Sequence, residues 1–268
     1  MSTTKPFLKW PGGKYRLVED IGEALGTGTR LVEPFLGSGA VFLNTDYEKY
    51  LLADNNQDLI NLYICLRDNG EDFIEYSRSF FEKFNNKDSY YEFRKVFNST
   101  NDVLLKSALF IYLNRHCYNG LCRYNSSGGF NTPFGQYKKP LFPEQAMRSF
   151  ITRSQKAEMI TSDFRKTLGR AEKGDVVYCD PPYTPLSTTS RFTDYYTGGF
   201  GWKEQQELAE QALLLAGKGI TTVISNHDTP EIRTLYKKAR IIPLKVRRSI
   251  SRDKFNRNMV DEVIAIFN

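Results

Sequence analysis

Four consecutive residues, Asp180-Pro181-Pro182-Tyr183, offer the most pointed chemistry in this sequence. They follow Asp175-Val176-Val177-Tyr178-Cys179, a run too short for a helix and rich in β-branched residues, which reads as a buried strand. Each proline fixes φ and biases the residue before it away from helix. Each also lacks an N–H but keeps its carbonyl as an acceptor. The strand would therefore end on a rigid corner with one carboxylate, carbonyl oxygens and a flat ring. That combination suits a planar ring carrying an amino group. Taken alone, the motif also describes a plain strand-end turn with a stacked Tyr, because Asp-Pro turns are common.

A second constellation lies upstream. Glu33-Pro34-Phe35-Leu36-Gly37-Ser38-Gly39 follows a short apolar run and precedes Val41-Phe42-Leu43, which reads as a helix start. Glycines at the carboxyl end of a strand let backbone approach a ligand. Asp54 falls at the end of the next apolar run, about twenty residues on, where an α/β nucleotide site sets an acid on ribose hydroxyls. A tight turn and an Asn/Asp-rich loop, Asp54-Asn55-Asn56, would look the same residue by residue; their order and spacing favour a bound nucleoside. The pyrophosphate fingerprint lacks its third glycine, and Glu33 would repel a phosphate while attracting an amino group. The expected ligand is therefore a nucleoside carrying an amino acid, S-adenosylmethionine. Lys9-Trp10-Pro11-Gly12-Gly13-Lys14 supplies complementary groups: Lys14 for a carboxylate, and Trp10 for a sulfonium by cation–π attraction.

The elements that must position these residues alternate. Arg30 to Glu33, Tyr50 to Ala53, Glu158 to Thr161, Val176 to Cys179 and Ile220 to Ser225 read as strands, with Ile241 to Val246 and Val260 to Phe267 as a final antiparallel pair. Helical stretches such as Lys203 to Ala216 lie between, which predicts an α/β sheet with parallel strands. From Gln57 to Leu113 the pattern is helical, and from Asn114 to Lys139 it becomes loop-like. This separates the second strand from the third by roughly a hundred residues, far beyond an ordinary crossover. An inserted subdomain is predicted, with residues 1–56 and 145–268 forming one domain and 57–144 the insert.

Composition narrows the class. The chain has 268 residues, 40% hydrophobic and 25% charged, and no apolar run long enough to span a membrane. Its N-terminal residues lack a signal-peptide core, so a cytoplasmic location is expected. Four cysteines (Cys65, Cys117, Cys122, Cys179) without a Cys-x-x-Cys pair, and only two histidines, argue against zinc and against a disulfide framework. The net charge of +6 is compatible with a polyanionic partner. Basic clusters stand at Lys138-Lys139, around Lys237 to Arg240, and from Lys245 to Arg257.

Taken together these motifs resemble the Dam-type DNA adenine-N6 methyltransferases. The resemblance runs from Phe7 almost to the C-terminus. It is carried by the segments already quoted, by Asn114-Arg115, by Tyr118-Asn119-Gly120-Leu121-Cys122-Arg123-Tyr124-Asn125, and by Phe130-Asn131-Thr132-Pro133-Phe134-Gly135. Ser225-Asn226-His227-Asp228 and Lys245-Val246-Arg247-Arg248-Ser249 extend it. It implies a Rossmann-like S-adenosylmethionine methyltransferase sheet, mostly parallel with an antiparallel C-terminal strand, and an inserted helical target-recognition domain. It also implies methylation of adenine in duplex GATC; the chemistry of such a transfer calls for no metal, and a monomer is expected. Trp10, Lys14, Asp54 and Asp180 match cofactor-contacting positions; Glu33, Phe35, Gly37 and Gly39 match the glycine loop; Asp163 and Phe164 would flank the cofactor adenine.

The resemblance also distributes roles over the DNA. Arg123 would pair with guanine, Leu121 and Pro133 would pack on a thymine methyl, and Lys9 would reach a guanine edge. Tyr118, with Asn119 beside it, would wedge into the space left by the extruded adenine. Arg94, Arg115, Asn125, Asn131, Tyr137, Lys138 and Lys139 would hold phosphates or position the duplex, and Arg247 and Arg248 would face DNA from a hairpin. Gln136 stands where relatives can carry Arg, which weakens one phosphate contact. At the corner, Asp180 and the Pro181 carbonyl would accept the two amino hydrogens while Tyr183 stacks on the ring; His227 would be structural. Two alternatives differ in target or in kind: another amine, such as cytosine N4 or adenine in a different sequence, or a catalytically silent DNA-binding relative.

Overall fold

The computed structural model describes residues 3–183, 200–247 and 259–268. Seven strands form one sheet: β1 (Arg30–Glu33), β2 (Lys49–Asp54), β3 (Ala157–Thr161), β4 (Asp175–Cys179), β5 (Thr221–His227), β6 (Arg240–Arg247) and β7 (Met259–Phe267), in the order β3-β2-β1-β4-β5-β7-β6. β1 runs parallel to both β2 and β4, and β4 parallel to β5. β7 is antiparallel to β5 and β6. Every residue of β4 is buried, as a parallel strand covered on both faces requires. The strand order reverses between β1 and β4, which is where open α/β sheets leave a crevice beyond the carboxyl ends. Val32 pairs with Val177 there, so Glu33 and Tyr178 come next on neighbouring strands.

The chain divides into two compact units. The first comprises Met1–Arg16, Gly37–Thr45 and Asp54–Thr161. Its helices α2 (Gln57–Lys83), α3 (Lys87–Ser99) and α4 (Val103–His116) fill the span whose periodicity predicts helix. Each starts on a residue whose side chain accepts an orphan N–H: Asn56 from Leu59, Asn86 from Ser89, Asp102 from Leu105. Gly70 interrupts α2 at a positive φ. α4 is apolar nearly all round and accordingly buried from Ser107 to Asn114. α5 (Glu144–Ser154) brings Phe150 to a ring cluster with Phe7, Phe42 and Tyr63.

The second unit comprises Leu17–Leu36, Asp46–Ala53 and Ser162–Asn268. It carries α1 (Val18–Leu25), α6 (Phe164–Leu168), α7 (Trp202–Ala216) and α8 (Pro230–Leu235).

Two local expectations need correction. Val41-Phe42-Leu43 does not open an α-helix: Gly39 sits at φ +70°, and only a 3-10 turn, Phe42–Asn44, follows. Asn114 and Arg115 are not in a loop, because α4 continues through His116 before Cys117 turns extended. Beyond it a 3-10 turn, Tyr118–Gly120, and two antiparallel bridges, Cys117 with Phe134 and Tyr124 with Phe130, organise the segment. Among the described residues no helix is long and apolar enough to cross a membrane.

Candidate active site

The corner after β4 is built as its residue types dictate. Pro181 is buried, Pro182 exposed, and Asp180 and Tyr183 partly covered. The Tyr183 hydroxyl donates to Glu262 of β7 at 3.3 Å, and its ring meets His227 edge-on at 4.6 Å between centroids. His227 thus supports the Tyr183 ring. Below them, Tyr178 shares a 2.9 Å hydrogen bond with Ser225 of β5. Burial holds the Tyr178 phenol well above its usual range, and the charges of Asp180, Glu33 and Glu262 raise it further. Burial does the same to the Cys179 thiol, with Asp180 and Glu33 adding to it. Glu33, at the end of β1, is 2% exposed. The ends of β1 and β4 thus each bring a carboxylate near Tyr178 and Cys179.

A ring of aromatics stands near the β1 loop in the same unit. Phe35 stacks on Phe164 at 5.6 Å, and Phe200 meets both at 5.4 Å. Asp163 caps α6 by accepting the Arg165 N–H at 2.9 Å, and it also pairs with the Arg165 guanidinium. Arg165 lies over the Phe164 ring and pairs with Glu207 of α7. Arg165 thus touches both Asp163 and Phe164, the pair expected to flank the cofactor adenine.

In the first unit, Trp10, Gly37 and Asp54 come together. Gly37 has φ +48°, and a Cβ there would lie 2.9 Å from the Trp10 indole Nε1, so the indole covers the glycine closely. The Gly37 carbonyl accepts from the Tyr63 hydroxyl at 2.6 Å. Its N–H donates to Asp54 Oδ2 at 3.0 Å, and Asn56 N–H donates to Oδ1 at 3.0 Å. Burial pushes the Asp54 carboxyl up, and backbone bonds from Asn56, Gly37 and Asn55 pull it partly back. Lys14 is 6% exposed and donates to the Gly12 carbonyl at 2.8 Å.

The Asn114 to Lys139 segment is held from its buried end. Asn114 accepts the Lys9 N–H at 2.9 Å and donates to the Lys9 and Gly120 carbonyls. Lys9 crosses Gly120 so tightly that a Cβ on the glycine would lie 2.3 Å from the Lys9 Cβ. The Lys9 ammonium sits 4.1 Å from the Tyr137 ring centroid, and burial followed by the Arg115 charge lowers its pKa. Tyr137 also accepts the Asn119 N–H at 3.2 Å, while Asn119 itself has φ +53°. Tyr118 is 48% exposed beside it. The Arg123 Nε donates to Asn131 Oδ1 at 2.7 Å, which fixes one edge of an exposed guanidinium. Leu121 is half-buried; Pro133, Lys138 and Lys139 are exposed.

Other residues expected at the DNA also bond within the protein. Arg115 donates to the carbonyls of Leu141 and Phe7. Arg94 donates to the Thr132 carbonyl and lies over Tyr91. The Asn125 side chain accepts from Ser127 and Gly129 and closes a turn. Arg247 ends β6 opposite Met259, whereas Arg248 lies outside the described residues.

Residue-type reasoning missed a buried polar chain in the second unit. Gln205 of α7 donates to the Pro182 carbonyl at 3.0 Å and accepts from Asn226 of β5 at 3.0 Å; Asn226 also donates to Tyr236 at 3.1 Å. Only Asn226 carries a sequence signal, as part of Ser225-Asn226-His227-Asp228.

Sheet order and the paired ends of β1 and β4 define a doubly wound α/β protein with its crevice at that switch point. The model of the D12 class N6 adenine-specific DNA methyltransferases matches residues 10–250, and the chain belongs to this family. It is 49% identical to a DNA adenine methylase of Vibrio cholerae over 269 residues, covering 100% of this chain and 97% of that one. A DNA adenine methylase of Serratia marcescens is 48% identical, with 100% of both chains covered. That of Escherichia coli K12 is 46% identical over 268 residues, 100% of this chain and 96% of that one. The protein is an adenine-specific DNA methyltransferase, acting on DNA and drawing on a methyl donor.

Proposed function

We propose that this enzyme transfers the methyl group of S-adenosylmethionine to adenine N6 within duplex 5'-GATC-3', after the adenine leaves the base stack. The observation that carries the chemistry is the corner itself: a carboxylate at the end of β4 followed by two residues that can only accept. The adenine amino nitrogen is a poor nucleophile because its lone pair is delocalised into the ring. Asp180 accepts one amino hydrogen and the Pro181 carbonyl the other, so both stabilise positive charge as it builds on nitrogen. A base inside the duplex cannot reach such a corner, and extrusion is the general solution. Tyr183 offers a ring face to the extruded base. As N6 takes the methyl carbon the methyl–sulfur bond breaks and a neutral thioether leaves, and the cationic methylated amine then gives up its extra proton to water; no residue here needs to form a covalent bond to the base.

One feature in each unit supports S-adenosylmethionine as the donor. In the first, Trp10, Gly37 and Asp54, residues the resemblance assigns to the donor, come together. In the second, Glu33, Asp180 and Glu262 each lie near enough to Tyr178 to raise its phenol, and carboxylates so placed suit an amino group better than a phosphate. When bound, S-adenosylmethionine supplies a methyl group activated by its sulfonium.

For the target, Arg123 braced by Asn131 supports a fixed guanidinium for guanine, and the exposed Tyr118 supports a wedge. Residues 57–144 form the target-recognition part on this reading, and residues 1–56 with 145–268 the catalytic part. Plasmid DNA from a methylation-deficient host expressing the protein should resist a nuclease that cuts only unmethylated GATC. Complete cutting despite folded protein would sink the proposal.

A further inference from the structure

We infer that Gln205 is a positioning residue for methyl transfer, setting the acceptor edge of the Asp180–Tyr183 corner through the Pro182 carbonyl. The inference rests on reading that corner as the place of reaction. Pro181 and Pro182 have no N–H, so the corner has no backbone donor of its own at two successive positions. A carbonyl is the available handle, and the Gln205 Nε2 takes it at 3.0 Å. The other end of the same amide accepts from Asn226 at 3.0 Å and from the Tyr236 hydroxyl at 3.5 Å. Asn226 in turn accepts the His227 N–H at 2.9 Å. Gln205, Asn226 and Tyr236 are each 0% exposed.

Three elements therefore meet through one amide: the first turn of α7, β5 beside β4, and the residue after α8. The site needs a donor at one end and an acceptor at the other, which a carboxylate, a lysine or an apolar side chain cannot supply. Burying such a polar chain is costly unless every member is used. The acceptors of the corner matter most when positive charge develops on the amine. A displaced corner should consequently lower kcat and leave substrate binding alone.

The test measures methyl transfer from S-adenosylmethionine to a GATC duplex by the full-length protein, comparing Gln205→Leu, Gln205→Glu and Asp180→Asn. Gln205→Leu should lose about tenfold or more in kcat, the worth of one well-placed hydrogen bond, with both KM values near wild type. Gln205→Glu can donate to Pro182 only when protonated. Its kcat relative to wild type should rise as pH falls, a recovery that Gln205→Leu lacks. Should Gln205→Leu fail to fold, Gln205→Glu decides: a wild-type kcat at every pH overturns the inference. So does a wild-type kcat in folded Gln205→Leu, or a change confined to KM. Turnover surviving in Asp180→Asn would instead overturn the reading of the corner itself. A dead Asp180→Asn beside an unimpaired Gln205→Leu overturns the role of Gln205 alone.

Discussion

The Gly37 N–H points at the Asp54 carboxylate, 3.0 Å away, and so joins the glycine loop to the end of β2. Gly37 can take its φ of +48° because it has no Cβ, and the Trp10 indole occupies the space a Cβ would need. Gly37→Ala should therefore cost about 1–3 kcal/mol of stability, from the left-handed backbone and the clash together. It should also raise the KM for the methyl donor. Urea unfolding and donor saturation curves check the two effects separately.

Asp54 uses both carboxylate oxygens on backbone donors, Gly37 on one and Asn56 on the other. Asp54→Asn turns one acceptor into a donor and leaves a backbone N–H facing it. A loss of about 1–3 kcal/mol is expected, read by urea unfolding at neutral pH.

His116 carries a pH dependence. It is 0% exposed, stacks on Tyr112 at 3.8 Å, and bonds the Tyr112 carbonyl through Nδ1. Its Nε2 makes no hydrogen bond among the described residues. Burial, with Lys9 and Arg115 nearby, lowers its pKa from 6.5 to about 4. Between those values the unfolded chain binds the proton and the folded chain does not, so stability falls as pH drops from 6.5 to about 4. The loss should be on the order of 3 kcal/mol. Denaturant midpoints across this range should show it, and His116→Phe should flatten that part of the profile.

Arg123 should govern discrimination at a single base pair. Its Nε is held by Asn131 while the guanidinium remains exposed. Arg123→Ala should relax selection of guanine by about 1–3 kcal/mol, seen as a smaller kcat/KM ratio between GATC and a duplex altered at that position. An equal loss on every sequence would mark a phosphate contact instead.

The sheet was legible because its strands are apolar, β-branched runs: Asp175 to Cys179 reads as buried and is buried throughout. The paired ends of β1 and β4 were legible only as two motifs; their adjacency comes from strand order, which periodicity does not contain. Gln205 was illegible for a different reason. It sits in Lys203-Glu204-Gln205-Gln206-Glu207, a run that reads as solvated, yet helical geometry turns this one amide inward. The resemblance assigns Arg115 to DNA, and nothing in the sequence foretells that two of its donors also meet the Leu141 and Phe7 carbonyls. Residue type announces what a side chain can do; the chain's path decides which partner it meets.

Adenine N6 in GATC is the acceptor on which the proposed function depends. Two duplexes of equal length and composition, one with a single GATC and one with those bases rearranged, should be incubated with the protein and S-adenosylmethionine, then digested to nucleosides for mass spectrometry. N6-methyladenine is expected from the GATC duplex, almost none from the other, and none from either with Asp180→Asn. Methylcytosine, or equal N6-methyladenine from both duplexes, would contradict it.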